Sequence, residues 1–448
     1  MSIVSSSNWR WTRYTERFDL YQIAVRWPVL SSSSAGMLPS SPSLSWINIC
    51  CRRPSLARRV RHLYVRPGFL PGMGAPIPPN PSRYRDIKGK WSLLHGRLRS
   101  LCSRRRGPVQ AERVLTLAQA AIHRCGNIRE LTIVLHDLSI SPSFAMFLKS
   151  SWTCLAAHLR KLTIDVTLAK LPLIWEESES CRLPALEELE VSLAYSRVSC
   201  HDGQVLINDV LLPFTTSHTR TLRSLIVSSA LPLDWSPYFN GLGCFPLLQK
   251  LALVLTISSV TLSEPMALTR LIDNHRQTLR QFSVRKNYGY TSDIPHDSLY
   301  ATWIADEFSM LVLPALETLE MGLWPNLPYR SPLRLSVIPP ASSLVSLSIV
   351  DFVLYDVQVE AILDALYVGS DGSRRLQSLQ ISVLFLHPHL VDLLATKLPG
   401  LKFLDLTFEH LAASTSVTIN CRYVSSVLLS CSFLTTLTGR RGRSSRQR

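Results

Sequence analysis

One short pattern of apolar residues, apolar-x-x-apolar-x-apolar, recurs through most of this sequence. Intervals of 25 to 37 residues separate successive copies, with an average of about 30, which is typical of stacked supersecondary units. An outlying copy begins at Val60. The first positions of the ten regular copies are Ile128, Leu159, Leu186, Leu222, Leu248, Leu279, Leu316, Leu344, Leu376 and Leu401.

Each copy has the spacing of a short β-strand. Its last two apolar positions lie two residues apart, so both side chains point to the same face of a strand. The residues beside them are polar in many copies, such as Lys161, Thr163 and Asp165 around Leu162 and Ile164. We therefore predict strands with one buried face and one solvent-exposed face.

Four copies share a proline two residues before their first apolar position. Proline lacks an N–H and has a fixed φ, so it suits a loop that leads into a strand better than the strand interior. The constant offset predicts that the chain enters these strands through the same turn. The four residues are Pro184, Pro246, Pro314 and Pro399.

Segments with helical periodicity separate several of the strands. Alternation of strand and helix predicts an α/β solenoid, with a curved parallel sheet inside and helices outside. An ordinary α/β domain with leucine-rich strands is the alternative, and ten matches at similar spacing favour the solenoid. Apolar residues recur at three- and four-residue spacing in the ranges 111–125, 142–158, 265–278, 297–310 and 357–367.

The repeated residues resemble the leucine-rich repeat family in its irregular, ribonuclease-inhibitor-like form, over about residues 128–409. In this family an Asn or Cys usually follows the first leucine by eight residues. Only Asn287 matches that position here. The resemblance implies a solenoid without the usual ladder of buried side chains at its turns.

This degenerate form, together with the segment 53–65 ahead of the array, resembles fungal F-box proteins with C-terminal repeat domains. In that family an N-terminal F-box docks on the adaptor of a cullin-type ubiquitin ligase, and the repeats hold the substrate. The F-box pattern itself is not found, because residues 1–59 carry Leu38-Pro39 and Val25-Arg26-Trp27 in the wrong order. The resemblance implies a substrate-recognition subunit.

The formal net charge of +16 is concentrated at the two ends of the chain. Residues 1–108 hold 19 basic and 3 acidic residues, and residues 440–448 hold five arginines and no acidic residue. The long middle is mildly acidic, which is not the pattern of a uniformly basic nucleic-acid-binding domain. Binding of nucleic acid or an anionic surface through the basic ends is the alternative function.

The common catalytic and nucleotide-binding motifs, such as G-x-x-x-x-G-K-[S/T], H-E-x-x-H and G-x-S-x-G, do not occur in this sequence. The ten cysteines form no C-x-x-C pair, and His387-Pro388-His389 reads as a surface turn rather than a metal pair. We therefore predict a protein that is not an enzyme, with no catalytic, cofactor-binding or metal-binding residues and no cofactor.

The sequence favours an intracellular protein, cytoplasmic or nuclear. It shows no N-glycosylation sequon and no apolar secretory region at its N-terminus. No uninterrupted apolar run reaches the ~20 residues that span a bilayer, so we expect no membrane partner. The nearest segment, residues 423–439, is interpreted as a cap of the core, with a tail anchor as the alternative.

We predict four segments: a basic, poorly ordered segment (1–59), a first strand-like copy with a Pro/Gly-rich linker (60–110), the solenoid (111–421), and a C-terminal cap with an arginine-rich tail (422–448). The repeat array predicts a protein-interaction scaffold that binds a protein partner on its concave sheet face. Polar residues beside buried strand positions are the candidate contacts: Asp165, Glu188, Glu190, Arg285, Glu320 and Asp405.

Overall fold

The structure is a computed structural model that describes residues 17–19, 54–58, 60–65, 109–135, 142–175, 182–194, 199–256, 258, 260–287, 310–322, 343–351, 353–367, 375–411 and 438–439. Residue contacts divide the chain into two compact units, unit 1 (residues 1–198) and unit 2 (residues 199–448). Both units consist of parallel strands joined through helices and turns.

Among its described residues, unit 1 contains five strands that pair in parallel, each with the next in sequence. They are β1 (Arg17–Asp19), β2 (His62–Val65), β3 (Glu130–Leu135), β4 (Lys161–Thr167) and β5 (Glu188–Ala194). The helices are α1 (Pro54–Ala57), α2 (Val109–Arg124), α3 (Pro142–Leu155) and α4 (Leu171–Trp175), and a 3₁₀ turn, Leu168–Lys170, precedes α4.

The described part of unit 2 contains eight strands, again parallel and paired in sequence order. They are β6 (Ser224–Ser229), β7 (Lys250–Leu255), β8 (Gln281–Lys286), β9 (Thr318–Gly322), β10 (Ser346–Ile349), β11 (Ser378–Leu386), β12 (Phe403–Leu411) and β13 (Thr438–Gly439). The helices are α5 (Cys200–Leu206), α6 (Leu212–Ser217), α7 (Ser236–Gly241), α8 (Pro265–Asn274), α9 (Asp356–Tyr367) and α10 (Pro388–Lys397), with a π-helical turn, Ile207–Leu211, between α5 and α6.

The sequence repeat sets where the strands begin. Each strand from β2 to β12 starts two residues after the first apolar residue of its copy of the pattern. All the pairings described within the two units are parallel. Both units are therefore α/β solenoids of the leucine-rich-repeat type, which confirms the predicted fold class.

One backbone arrangement joins successive repeats. In each repeat, one residue follows directly after the first apolar residue of the pattern. Its carbonyl accepts hydrogen bonds from two consecutive N–H groups of the next repeat. The carbonyl of Arg129 accepts from Arg160 and Lys161 at 2.8 and 3.0 Å, and the same contact recurs along unit 2. These bonds satisfy backbone groups at the start of each strand and fix the register between neighbours.

The four prolines occupy the second residue of a hydrogen-bonded turn, where their fixed φ suits the geometry. In these four copies the first apolar residue donates its N–H to the carbonyl three residues earlier, and the predicted common entry turn is confirmed. The pairs are Leu186 to Leu183 (3.2 Å), Leu248 to Phe245 (3.0 Å), Leu316 to Leu313 (3.2 Å) and Leu401 to Leu398 (3.1 Å).

The repeated apolar positions form the core of each unit. In unit 1, Leu162 and Ile164 of β4 are fully buried, and Trp152 of α3 is also fully buried. In unit 2, Leu251 and Leu253 of β7 occupy the equivalent positions with 1% and 0% exposure. Burying a side chain of this size contributes about 1.5–3 kcal/mol, so the repeat is also the main source of stability.

The residues that follow the first apolar residue by eight positions make hydrogen bonds between neighbouring turns in an unusual way. The N–H of Asn287 donates to the carbonyl of Leu255 at 2.8 Å, and the carbonyl of Asn287 accepts from the Thr256 hydroxyl at 3.3 Å. Thr256 holds the eighth position of the preceding repeat. A threonine hydroxyl therefore joins two neighbouring turns where the family usually has a ladder of Asn side chains.

Four of the five predicted helices are confirmed, with ends that differ by up to four residues. The fifth, residues 297–310, lies outside the described residues except for its last residue. The helices in 54–57, 171–175, 200–217, 236–241 and 388–397 were not predicted, because they are short or carry helix-disfavouring residues. Within the described ranges, no helix combines the length and the apolar content needed to cross a membrane.

The predicted segments at the two ends, residues 1–59 and 422–448, lie almost entirely outside the described residues. The scheme of four segments therefore stays a prediction.

Candidate partner-binding surface

The strands of unit 2 carry a row of polar side chains on their outward face, which is the face opposite the buried apolar positions. Neighbouring strands lie about 4.8 Å apart and pair in register, so equivalent outward residues stand side by side. We call five of these residues the polar row, and all five are half-buried or exposed. They are Ser283, Glu320, Ser348, Gln380 and Asp405, one from each strand from β8 to β12.

Hydrogen bonds connect neighbours within the polar row. The Ser283 hydroxyl donates to Oε2 of Glu320 at 2.8 Å. Further along, the Ser348 hydroxyl donates to Oε1 of Gln380 at 2.6 Å, and Nε2 of Gln380 donates to Oδ2 of Asp405 at 3.0 Å. Two carboxylates are thus held in place at the surface by neutral side chains.

Arg285 lies beside the polar row and contacts two carboxylates. Its Nη1 is 3.5 Å from Oε1 of Glu320, and its Nε is 3.4 Å from Oδ2 of Asp351. One guanidinium therefore forms ion pairs with two carboxylates. The three side chains together carry one excess negative charge at neutral pH. Because all three are partly exposed, these contacts contribute little to stability and mainly shape the surface.

Asp351 reaches Arg285 through an unusual backbone conformation. Its φ is 64°, in the left-handed region that Asp tolerates better than most residues. Gly322, the neighbour of Arg285 in the sheet, leaves the space for this contact. A Cβ on Gly322 would lie 2.7 Å from Oδ2 of Asp351 and 3.1 Å from the Cα of Arg285.

Unit 1 has a different outward face, with opposite charges on neighbouring strands. Nζ of Lys161 is 3.2 Å from Oε2 of Glu188, and the Thr163 hydroxyl donates to Oε2 of Glu190 at 3.2 Å. Asp165 is half-buried one row further on, in register with Ser192. The three candidate residues of unit 1 therefore lie on adjacent strands.

All six predicted contact residues occupy outward strand positions. The structure brings Arg285 and Glu320 into contact and places Asp405 three strands away from Glu320. Their role in binding a partner stays a prediction. The predicted contacts did not include Ser283, Ser348, Gln380 or Asp351. The signals for them in the sequence were polar residues at outward strand positions and an Asp just after a strand.

A groove of about 350 Å³ lies beside the turns that lead into β7, β8 and β9. Among the residues that line it are Gln249, Arg280 and Glu317. Nη1 of Arg280 donates to Oε1 of Glu317 at 3.0 Å. The two charges compensate each other, so this groove carries no electrostatic preference comparable to that of the polar row.

Two buried histidines of unit 2 act in structure rather than in binding. Nδ1 of His275 is 2.6 Å from the carbonyl of Leu271, and Nε2 accepts the N–H of Phe245 at 2.9 Å. Burial lowers the pKa of His275, against a smaller opposite effect of the bond to Leu271. The pKa of His218 is lowered in the same way, with Phe214 as its carbonyl partner.

Asp234 joins α7 to the turn before α8. Its Oδ1 accepts N–H groups from Ser236 and Ser263 at 3.0 and 3.2 Å, and its Oδ2 accepts the Ser263 hydroxyl at 2.5 Å. Burial alone would raise the pKa of Asp234, but the hydrogen bonds from Ser263 and Ser236 outweigh it and leave the pKa below its usual value. This arrangement is a structural tie between two helices.

A cysteine–histidine contact lies between α2 and α3. Sγ of Cys154 is 3.0 Å from Nδ1 of His123. Burial raises the pKa of the Cys154 thiol, and a hydrogen bond with Ser150 lowers it in part. The thiol is therefore held in its protonated form, which favours an interhelical hydrogen bond over a reactive thiolate.

His387 is the N-cap of α10 rather than part of a surface turn, which corrects that detail of the prediction. Its Nδ1 accepts the N–H of Leu390 at 3.1 Å, and its Nε2 is 2.8 Å from Oδ2 of Asp356. Pro388 follows at the first helical position, where its missing N–H costs nothing. In the part of the chain that the structure describes, no group of three or more potential metal ligands is found.

Each of the two units is an open parallel-sheet solenoid, an architecture that suits a protein-interaction scaffold. No family profile matches the chain, and no curated protein matches it. Among solved structures, the crystal structure of a protein from Bacteroides fragilis is similar, with 14% sequence identity and a TM-score of 0.33. The match covers 62% of this chain and 66% of that one, just under two thirds of its length.

Proposed function

We propose that this protein is a protein-interaction scaffold that binds a protein partner on the outward face of the unit 2 sheet. The observation that carries the proposal is the polar row, whose side chains are fixed by hydrogen bonds and still reach the surface. Parallel sheets usually have both faces covered, so a parallel sheet with a polar, accessible face suits a binding surface.

The dimensions of the face also favour a macromolecular partner. The polar row crosses five strands and therefore extends over roughly 19 Å. Stable protein interfaces bury about 800 Å² on each partner, which requires an extended surface of this kind rather than a small enclosed pocket.

The resemblance to fungal F-box proteins supports a finer version of the proposal, in which the scaffold is a substrate-recognition subunit of a cullin-type ubiquitin ligase. That version needs an adaptor-binding module in addition to the repeats. A pulldown from a fungal lysate that recovers a ubiquitin-ligase adaptor and a cullin supports it. Recovery of a partner without either protein contradicts the ligase version and leaves the scaffold version intact.

The scaffold itself is tested with charged substitutions on the face. Ser346→Arg together with Ser378→Arg places two long cations in the row next to the polar row, because these serines pair in register. The matched control is Val357→Arg with Ala365→Arg, which adds the same charge at exposed positions of α9 in the same unit.

We expect the face variant to lose captured partners while the α9 control retains them, as measured by quantitative mass spectrometry of pulldowns with the full chain. Circular dichroism melts should show that both variants are folded. Equal retention of partners by the two variants contradicts the proposal, because the outward face would then not be the binding surface.

A second candidate function is binding of nucleic acid or another anionic surface. The charge of the two ends supports it, since residues 1–108 hold 19 basic and 3 acidic residues and residues 440–448 hold five arginines and no acidic residue. The basic ends of the chain lie largely outside the described residues. Counterion release predicts a steep loss of affinity for a single-stranded oligonucleotide between 50 and 200 mM salt, roughly 300-fold for six contacts. If removal of residues 1–108 and 440–448 leaves binding unchanged, this candidate fails.

A further inference from the structure

We infer that the polar row of unit 2 recognises an extended basic peptide segment in which two Lys or Arg residues stand four positions apart. The inference rests on the proposed function, since it specifies the chemistry of the partner for that same face. It is carried by three features of the row: the sign of its charge, the separation of its carboxylates, and the neutral side chains between them.

The charge of the surface selects a basic partner. Among the described outward positions of β9 to β12, the charged side chains are Glu320, Asp405 and Glu409, and none is basic. Arg285, on β8, is shared between Glu320 and Asp351, so that end of the row keeps an excess negative charge. Complementary charges steer association and set the register between two partners.

The separation of the two carboxylates selects the spacing within the peptide. Glu320 and Asp405 stand three strands apart in one register row, a distance of about 14 Å. An extended chain advances about 3.4 Å per residue, so four residues cover nearly the same distance. Side chains four positions apart also lie on the same side of an extended chain, whereas side chains three apart do not.

The side chains between the carboxylates suit a peptide backbone. Ser348 and Gln380 lie between Glu320 and Asp405 and are joined to each other by a hydrogen bond of 2.6 Å. Gln380 uses one amide hydrogen toward Asp405 and carries a second one, and the Ser348 hydroxyl oxygen is also an acceptor. A peptide that crosses the strands above them therefore meets both donors and acceptors.

The Asp405 end is the stronger half of the surface. Phe403 lies two residues before Asp405 on the same outward face of β12 and is 40% exposed. An aromatic ring beside a carboxylate packs against the aliphatic part of a Lys or Arg and attracts its charge. Glu320 lacks such a ring and is already partly compensated by Arg285.

The experiment uses the full chain and fluorescein-labelled peptides with a Ser/Thr background, which favours extended conformations. One peptide carries two lysines four positions apart, a second has them three apart, and a third has them two apart. Fluorescence anisotropy gives the dissociation constant of each. We expect the four-apart peptide to bind at least about threefold more tightly than the other two, because only its lysines reach both carboxylates at once.

Substitutions then assign the effect to the row. Asp405→Asn and Glu320→Gln should each weaken binding of the four-apart peptide by up to roughly tenfold, as expected for loss of one charged hydrogen-bond partner. The matched control is Glu317→Gln, which removes the same charge from the residue just before β9, in the Arg280 pair outside the row. This control should leave the dissociation constant unchanged.

Three results would overturn the inference: equal affinity for all three spacings, equal weakening by Glu317→Gln, or no binding of any peptide up to ~1 mM. Its failure is distinguishable from failure of the proposed function. If a captured partner is lost with Ser346→Arg and Ser378→Arg but the peptides show no spacing preference, the scaffold stands and the inference fails. If those arginines have no effect on capture, the proposed function itself fails.

Discussion

The outward faces of the two units differ although the strands behind them are built alike. In unit 1, opposite charges compensate each other between neighbouring repeats, as in Lys161 with Glu188 at 3.2 Å and Arg160 with Glu187 at 3.5 Å. In unit 2, the outward positions of β9 to β12 carry carboxylates that are not matched by basic residues on those strands. Both faces hold more acidic than basic residues. Unit 1 pairs opposite charges across neighbouring repeats, whereas β9 to β12 of unit 2 separate their carboxylates by neutral side chains.

The difference shows that fold and surface are specified by separate positions of the repeat. The core positions of both units are filled mainly by Leu, Ile and Val, and they are buried except in the last regular copy, where Leu401 and Leu404 are half-buried. They are apolar because they have to pack against the helices and turns. The outward positions contribute little to packing, so they can change without loss of the fold. Four predictions test this separation, and they follow in order of decreasing effect.

Substitution of a core position should have the largest effect. Leu251→Ala removes a side chain with 1% exposure and should lower the free energy of unfolding by about 2–5 kcal/mol. Lys250→Ala, on the opposite face one residue earlier, should cost less than about 0.5 kcal/mol. Urea denaturation of both variants checks this, and equal losses would mean that the strand register is wrong.

Crowding the Asp351 contact should have an intermediate effect. A Cβ on Gly322 would lie 2.7 Å from Oδ2 of Asp351, so Gly322→Ala should destabilise by about 1–2 kcal/mol. Gly243→Ala is the matched control, because a Cβ there meets no atom within 4 Å. Thermal denaturation gives the melting temperature of each variant. Similar melting temperatures would contradict the described contact of Asp351 with Arg285.

Acid should weaken unit 2 through its buried histidines. The pKa values of His218 and His275 are lowered by burial, so the unfolded chain binds more protons than the folded chain below the ordinary histidine pKa of about 6.5. The stabilisation by the neutral rings is therefore present above that pH and is lost as the pH falls below it.

Hydrogen exchange with mass spectrometry can measure this effect separately for each unit. Between pH 7.5 and 5.5, after correction for the intrinsic exchange rate, protection of β7 and β8 should fall more than protection of β4. The described histidines of unit 1 are not fully buried, which makes β4 the internal reference. The double variant His218→Gln, His275→Gln should lose most of the pH dependence. An unchanged pH dependence in this variant would show that the two histidines do not cause it.

The smallest effect is expected for the ion pairs of unit 1. Glu188→Gln removes an exposed partner of Lys161 and should cost about 0.2–1 kcal/mol, less at high salt. Urea denaturation in low salt and in 1 M salt provides the test. A loss as large as that of Leu251→Ala would show that outward positions of unit 1 contribute to the fold, against the proposed separation.

The strands were predictable from sequence because the repeat imposes the same local geometry many times. The turn with Pro184 and the start of β5 follow directly from that regularity, since proline fits the second turn position and the leucine that follows closes the turn. The outward positions of the six candidate residues follow from the period of two along each strand.

The details of the surface were not predictable. The contact between Arg285 and Asp351 depends on a left-handed φ and on the small size of Gly322, and neither leaves a periodic signal. The short helix of residues 236–241 follows Asp234, which accepts hydrogen bonds from Ser236 and Ser263. Such tertiary hydrogen bonds are invisible to a reading of local spacing.

The most direct test of the central claim measures stability and binding on the same pair of variants. Asp405→Asn should leave the free energy of unfolding within about 0.5 kcal/mol of the natural chain and weaken the four-apart lysine peptide by up to roughly tenfold. Leu251→Ala should do the reverse, with a large loss of stability and unchanged affinity under conditions where it is folded. If Asp405→Asn instead lowers stability as much as Leu251→Ala does, or leaves peptide affinity unchanged, the separation of fold and binding surface is contradicted.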